Sequence, residues 1–145
     1  MLFRSMDGFG VVASYSDTQS GIQPNGPKGA VQPLPGLSRR VMNTTAYFEK
    51  YGFSARVSQR ERSDYLGEVT GFGADREFRF IKAERVTDVQ LGYSFEDGYL
   101  KGLSFLFQVN NLRNTPYQTY DGTPNKPNQI TYYGRTTLLG VNYKF

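Results

Sequence analysis

Three arginines, four tyrosines and a few carboxylate pairs are the residues whose types and spacing could do chemistry. Arg56, Arg60 and Arg62 stand at even spacing. On an extended strand they project from one side, where guanidinium groups steer an anionic ligand or pair with carboxylates of a neighbouring wall. Tyr117, Tyr120, Tyr132 and Tyr133 gather near the ends of the last polar segment. They read either as ligand-stacking aromatics or, more plainly, as a girdle anchoring strand ends in lipid headgroups. Asp64 with Glu68, and Asp75 with Glu77, are spaced as acid pairs, but the dense Asp/Asn ladder of a calcium loop is missing. Gly71-Phe72-Gly73 lacks the following helix that a phosphate loop requires. Asn43-Thr44-Thr45 has a glycosylation pattern, yet it falls within a strand pattern. The chain contains neither cysteine nor histidine. Disulfides and thiolate metal sites are thereby excluded, and the commonest general base is lacking. No nucleophile–base constellation is visible, so the reading is a non-enzyme with no cofactor and no metal site.

The elements carrying these residues alternate apolar and polar side chains with a period of two, the signature of strands with two unlike faces. Residues 8–16 place Phe9, Val11, Ala13 and Tyr15 opposite small residues. The pattern returns at 39–48, then at 53–62 after a short turn at 49–52, where Gly52 is free to take a positive φ. It resumes at 86–95, at 103–109 and at 135–145. The last of these sets Leu139, Val141, Tyr143 and Phe145 on one face and ends on an aromatic residue. About ten residues suits a tilted strand crossing a bilayer. Polar segments at 17–38, 63–85 and 114–134 separate these strands, with Phe78, Phe80 and Ile81 as a candidate strand extension in the second.

The fold expected is all-β: an antiparallel up-and-down meander of about six long strands, the C-terminal part of a transmembrane β-barrel. Its connections run long, short, long, short, long, so every long loop falls on one rim, as in outer-membrane barrels. Phe145 would then sit at the periplasmic rim. The mean hydropathy is negative, which alternating barrel strands also produce, and no apolar run is long enough for a membrane helix. The formal charge of +4 is read as a solvated surface rather than a nucleic-acid site. Residues 1–7 lack the apolar core and cleavage site of a signal peptide. They are read as a disordered or truncation-derived N-terminus, with 8–145 as the partial barrel and its three extracellular loops.

Several stretches carry a family resemblance: Leu34-Pro35-Gly36-Leu37-Ser38, residues 43–57, residues 108–117, and the closing run from Tyr132 to Phe145. In their order and spacing they resemble the C-terminal part of a TonB-dependent outer-membrane receptor. The resemblance implies a larger barrel with a plugged lumen that imports a siderophore, cobalamin or an oligosaccharide across the outer membrane of a Gram-negative bacterium. It implies as partners outer-membrane lipid, the remainder of the barrel and its plug domain, and the energy-coupling TonB complex acting through an N-terminal part not present in this sequence. The barrel-assembly machinery would read the strand ending at Phe145. Arg56, Arg60 and Arg62 would face the lumen, and Leu139, Val141, Tyr143 and Phe145 the lipid. Two other readings stand beside this one: a self-contained soluble β-sheet binding protein, and a small complete outer-membrane barrel with two further strands hidden in 72–85.

Overall fold

The structure is a computed structural model that describes residues 7–71 and 76–145. Phe72, Gly73 and Asp75, and residues 1–6 of the expected N-terminal extension, lie outside the described residues. Among the described residues all ten regular elements are strands: β1 (Phe9–Asp17), β2 (Arg40–Lys50), β3 (Phe53–Arg62), β4 (Tyr65–Thr70), β5 (Glu77–Ile81), β6 (Glu84–Ser94), β7 (Leu103–Asn110), β8 (Tyr117–Asp121), β9 (Pro127–Thr131) and β10 (Thr136–Tyr143). The six long strands form one antiparallel sheet in the order β1-β2-β3-β6-β7-β10, the meander expected from the period-two pattern. The sheet is open, with β1 and β10 each paired on one side only. The four short strands make a second sheet, β4-β5-β8-β9.

The turns explain the alternation of connections. Tyr51 and Gly52 both take positive φ, 53° and 76°, the geometry of a two-residue hairpin whose twist matches its strands. Gly52 also lies against the carbonyl of Ser94, where a Cβ would collide. The β6–β7 turn is also local: the Phe95 N–H donates to Leu103 O and the Gly102 N–H to Phe95 O. The three longer connections all leave from the opposite rim. Two of them, β4–β5 and β8–β9, fold as hairpins and pair with each other through β5 and β8. The first long connection is pinned to them by the Gly36 N–H, which donates to Leu66 O.

The segments read as polar loops at 63–85 and 114–134 are therefore largely sheet. These added strands pair among themselves and join neither β1 nor β10, so they do not extend the main sheet as the small-barrel reading required.

Pairing register sorts the main sheet into two faces, because directly paired residues project to the same side. One face carries Phe9, Val11, Ala13 and Tyr15 of β1, Met42, Ala46 and Phe48 of β2, and Phe53, Ala55 and Val57 of β3. It continues with Val89, Leu91 and Tyr93 of β6, Leu103, Phe105, Phe107 and Val109 of β7, and Leu139, Val141 and Tyr143 of β10. The other face carries Arg56, Arg60 and Arg62 among Asn43, Thr45, Ser58, Asp88, Gln90, Gln108 and Asn142. Neither face of the main sheet is covered: Val11 is 69%, Leu139 82% and Val141 68% exposed on the apolar face, and Val12 60% and Leu138 47% on the other. Among the described residues the buried hydrophobics are Tyr65, Leu66 and Tyr120, all in the short-stranded sheet.

Candidate functional site

The uncovered apolar band has a definite slope. Its uppermost residue, counting toward the rim of long connections, is Tyr15 on β1, and its uppermost on β10 is Leu139. The paired row through Leu139 runs Phe107, Leu91, Ala55, Phe48 and arrives at Phe9, the lowest apolar residue of β1. The band therefore slips by six residues, Phe9 to Tyr15, across the five strand pairs of the sheet. At standard spacings that is about 20 Å along the strands against about 24 Å across them, a slope of ~40°. Strands of a closed barrel tilt by about 35–45° to its axis. A belt of constant height around such a wall is read by the strands as a band of this slope.

Aromatic side chains edge the band on the short-turn rim. Phe9 packs on Phe48 with ring centroids 4.4 Å apart, and Phe48 lies 6.1 Å from Phe53. Phe95 bridges Tyr93 and Phe105 at 4.9 and 6.3 Å. Tyr143 and the fully exposed Phe145 stand 6.2 Å apart. Only Tyr143 and Phe145 of this row were singled out from sequence, where the girdle reading went to the tyrosines of the opposite rim. The signal was present: an aromatic residue next to each short turn, on the apolar side of its strand.

The polar face ends, at the long-connection rim, in a cavity of about 490 Å³ lined by Arg60, Glu84, Val86, Asp88, Asn110, Asn111, Thr115, Tyr117 and Tyr133. Its size suits a small ligand. Asn111 organises it from a left-handed backbone position, φ 53°, which asparagine tolerates better than most residues. Its side-chain amide donates to the carbonyls of Thr115 (3.2 Å) and Gly134 (3.1 Å), and its Oδ1 accepts the Thr115 N–H at 2.8 Å. Its backbone N–H donates to Asp88 Oδ1 at 2.8 Å. One residue thus ties β6, the end of β7 and the approach to β10 together, the first through its backbone and the last through its side chain. Neither Asn111 nor Asp88 was singled out from sequence, because this role depends on contacts across strands.

The three arginines share a face but not a role. Arg62 Nε lies 2.8 Å from Glu84 Oε1 of the adjacent strand, and its guanidinium sits 4.6 Å from the centre of the Tyr65 ring. Arg56 and Arg60 have no ion-pair partner among the described residues. Glu84 is taken by Arg62 and Asp88 by Asn111, which leaves Arg60 as the uncommitted charge at the cavity. The arrangement suits an anionic or hydroxyl-rich molecule.

The tyrosines divide as well. Tyr117 and Tyr133 pair across the cavity wall, 6.3 Å between rings. Burial pushes the Tyr117 hydroxyl above its ordinary pKa, helped by the nearby Tyr65 and Tyr133 phenols. Tyr132 is an exposed surface residue. Tyr120 corrects the expectation of a surface aromatic. It is buried, stacked on Phe80 at 5.4 Å, and donates its hydroxyl to Asp64 Oδ2 at 3.0 Å. Asp64 Oδ1 accepts the Ala83 N–H at 3.0 Å, so this carboxylate latches the short-stranded sheet to the start of β6. Glu68 instead pairs with Arg79, which also reaches Asp121. The two acids are committed to different partners.

Burial, reinforced by the Asp64 carboxylate, raises the Tyr120 pKa from 10.0 to about 12. A phenol that holds its proton longer folded than unfolded stabilises the fold fully below the unfolded pKa. That contribution is lost as pH rises from about 10 through about 12. Alkaline titration followed by tyrosinate absorbance should show a phenol titrating near pH 12, later than the raised Tyr117. Tyr120→Phe should remove that component and leave the Tyr117 one in place. Comparison with protein-family models, with curated proteins and with solved structures gives no match for this chain.

Proposed function

We propose that this chain forms part of the wall of an outer-membrane β-barrel of the TonB-dependent receptor kind. In that setting it lines the route by which a scarce ligand, such as a siderophore, cobalamin or an oligosaccharide, is taken up. The observation that carries the barrel reading is the slope of the apolar band. A sheet built to pack on one protein layer has no need of a band that shifts by six residues from one edge strand to the other, whereas a tilted wall in a flat bilayer does. The uncovered face then meets lipid, with the aromatic row at one headgroup boundary. The polar face, with Arg56 and Arg60 uncommitted, lines the water-filled interior. The receptor kind rests on the sequence resemblance of residues 43–57 and 108–117. The cavity under the short-stranded sheet is where an entering ligand would meet Arg60, Tyr117 and Tyr133.

The absence of native cysteine makes a direct test clean. In membranes of cells producing the protein, Val57→Cys, Leu139→Cys and Val141→Cys should resist a water-soluble maleimide and react with a lipid-soluble one. Gln90→Cys, Leu138→Cys and Asn142→Cys, on the other face, should react with the water-soluble reagent. Uniform reaction with the water-soluble reagent would overturn the barrel reading in favour of a soluble sheet protein.

A further inference from the structure

The outward face does not end symmetrically. Where the band stops at the long-connection rim on β1, β2 and β3, a cavity of about 380 Å³ opens, with Tyr15 and Met42 at its apolar side and Arg40, Glu61 and Arg85 among its polar lining. Register puts Tyr15, Met42, Glu61 and Arg85 in one row on the outward face, with Asp17 and Arg40 paired in the next row up.

The carboxylates here are already engaged. Asp17 is held by Arg39 at 3.4 Å and by the Tyr15 hydroxyl at 3.4 Å. Glu61 is held by Arg85 through Nε at 2.8 Å and through a second nitrogen at 3.0 Å, and also accepts the Gln59 amide. Arg40 is exposed and has no ion-pair partner among the described residues, although Asp17 is its cross-strand neighbour. Its backbone is fixed by reciprocal bonds with Ser63: its N–H donates to Ser63 Oγ at 3.1 Å and its carbonyl accepts the Ser63 N–H at 2.9 Å. The strand position that carries this uncommitted guanidinium is therefore fixed directly above an apolar, outward-facing surface.

We infer that this rim cavity is a site for the phosphate of a lipid headgroup. Arg40 supplies the charge-assisted hydrogen bonds, the outer edge of Arg85 lends support, and Tyr15 and Met42 receive the start of the acyl chains. The geometry favours a lipid over a free anion because the cation sits at the end of the apolar band rather than in the polar interior, so one molecule can satisfy both surfaces. This inference rests on the barrel reading.

The test uses the barrel that contains this chain, in phosphatidylcholine vesicles with and without a minor fraction of phosphatidic acid. Two quantities are read: protection of the long strands from protease, and enrichment of a fluorescent phosphatidic acid next to the protein. Protection should be equal in both vesicles. Enrichment should fall about fivefold in Arg40→Gln, the effect of one basic residue near an anionic surface. It should be unchanged in Lys28→Gln, which removes the same charge from the first long connection. Absence of enrichment, equal loss in the two variants, or equal displacement by inorganic phosphate would each overturn the lipid site while leaving the barrel reading standing. Loss of protection in both vesicles would overturn the barrel reading, and this inference with it.

Discussion

Leu91→Arg should lower the stability of the membrane-inserted protein by about 2–4 kcal/mol, while Gln90→Arg, one residue away, should change it by no more than about 0.5 kcal/mol. Leu91 lies in mid-band, on the row with Ala55 and Phe107. Above it on β6 come Val89 and then Thr87 and Arg85, and below it Tyr93. An arginine there is held away from both headgroup layers, so its charge is met by hydrocarbon and the cost is near the maximum for a barrel wall. Gln90 pairs with Arg56 and Gln108 on the polar face, where a further cation meets water. Guanidinium unfolding in vesicles measures the difference. The contrast is diagnostic because an uncovered face in water would accept arginine at either position with similar small effects. Equal effects at the two positions would remove the physical basis of the barrel reading.

Leu66→Ala should cost about 2–5 kcal/mol, and the loss should be confined to the short-stranded sheet. Leu66 has 0% exposure and is the one fully buried large side chain among the described residues. Its carbonyl also holds the first long connection through Gly36. The small core on its face, with its cross-strand partner Phe80 and the Tyr120 ring stacked on Phe80, is too limited to close over a missing isobutyl group. Amide hydrogen exchange should accelerate in β4, β5 and β8 and remain unchanged in β3, β6 and β7, whose ladders do not depend on that core. Acceleration throughout the main sheet would instead mean that the two sheets unfold together.

The long strands were legible in the sequence because period-two alternation is a local signal, and β3 was read to its final residues, 53–62. Of the short-stranded sheet only β5 was legible, from Phe78, Phe80 and Ile81. β8 and β9 are five residues each, polar in composition, and β9 begins on a proline. The β4–β5 pairing carries a register shift next to Gly67. What makes these segments strands is their mutual pairing, and β5 meets β8 through partners some forty residues apart, such as Phe80 with Tyr120. No local pattern encodes that. The same holds for the candidate site. The arginine face could be read from spacing alone. That Arg62 would be spent on Glu84 while Arg60 stayed free depends on which strand lies alongside. Tyr120 was taken for a surface residue because its burial is conferred by Phe80 and Asp64, both distant in sequence.

The number of strands in the main sheet has a consequence of its own. Six antiparallel strands leave β1 and β10 running in opposite directions at the two open edges. A unit with an even count can be spliced into a larger antiparallel sheet, duplicated or removed without reversing any neighbouring strand. It also leaves every long connection of the host on the side it occupied before. On the barrel reading proposed above, the meander is a unit of the kind by which an antiparallel wall can grow or shrink while keeping its inside, outside and two rims unchanged.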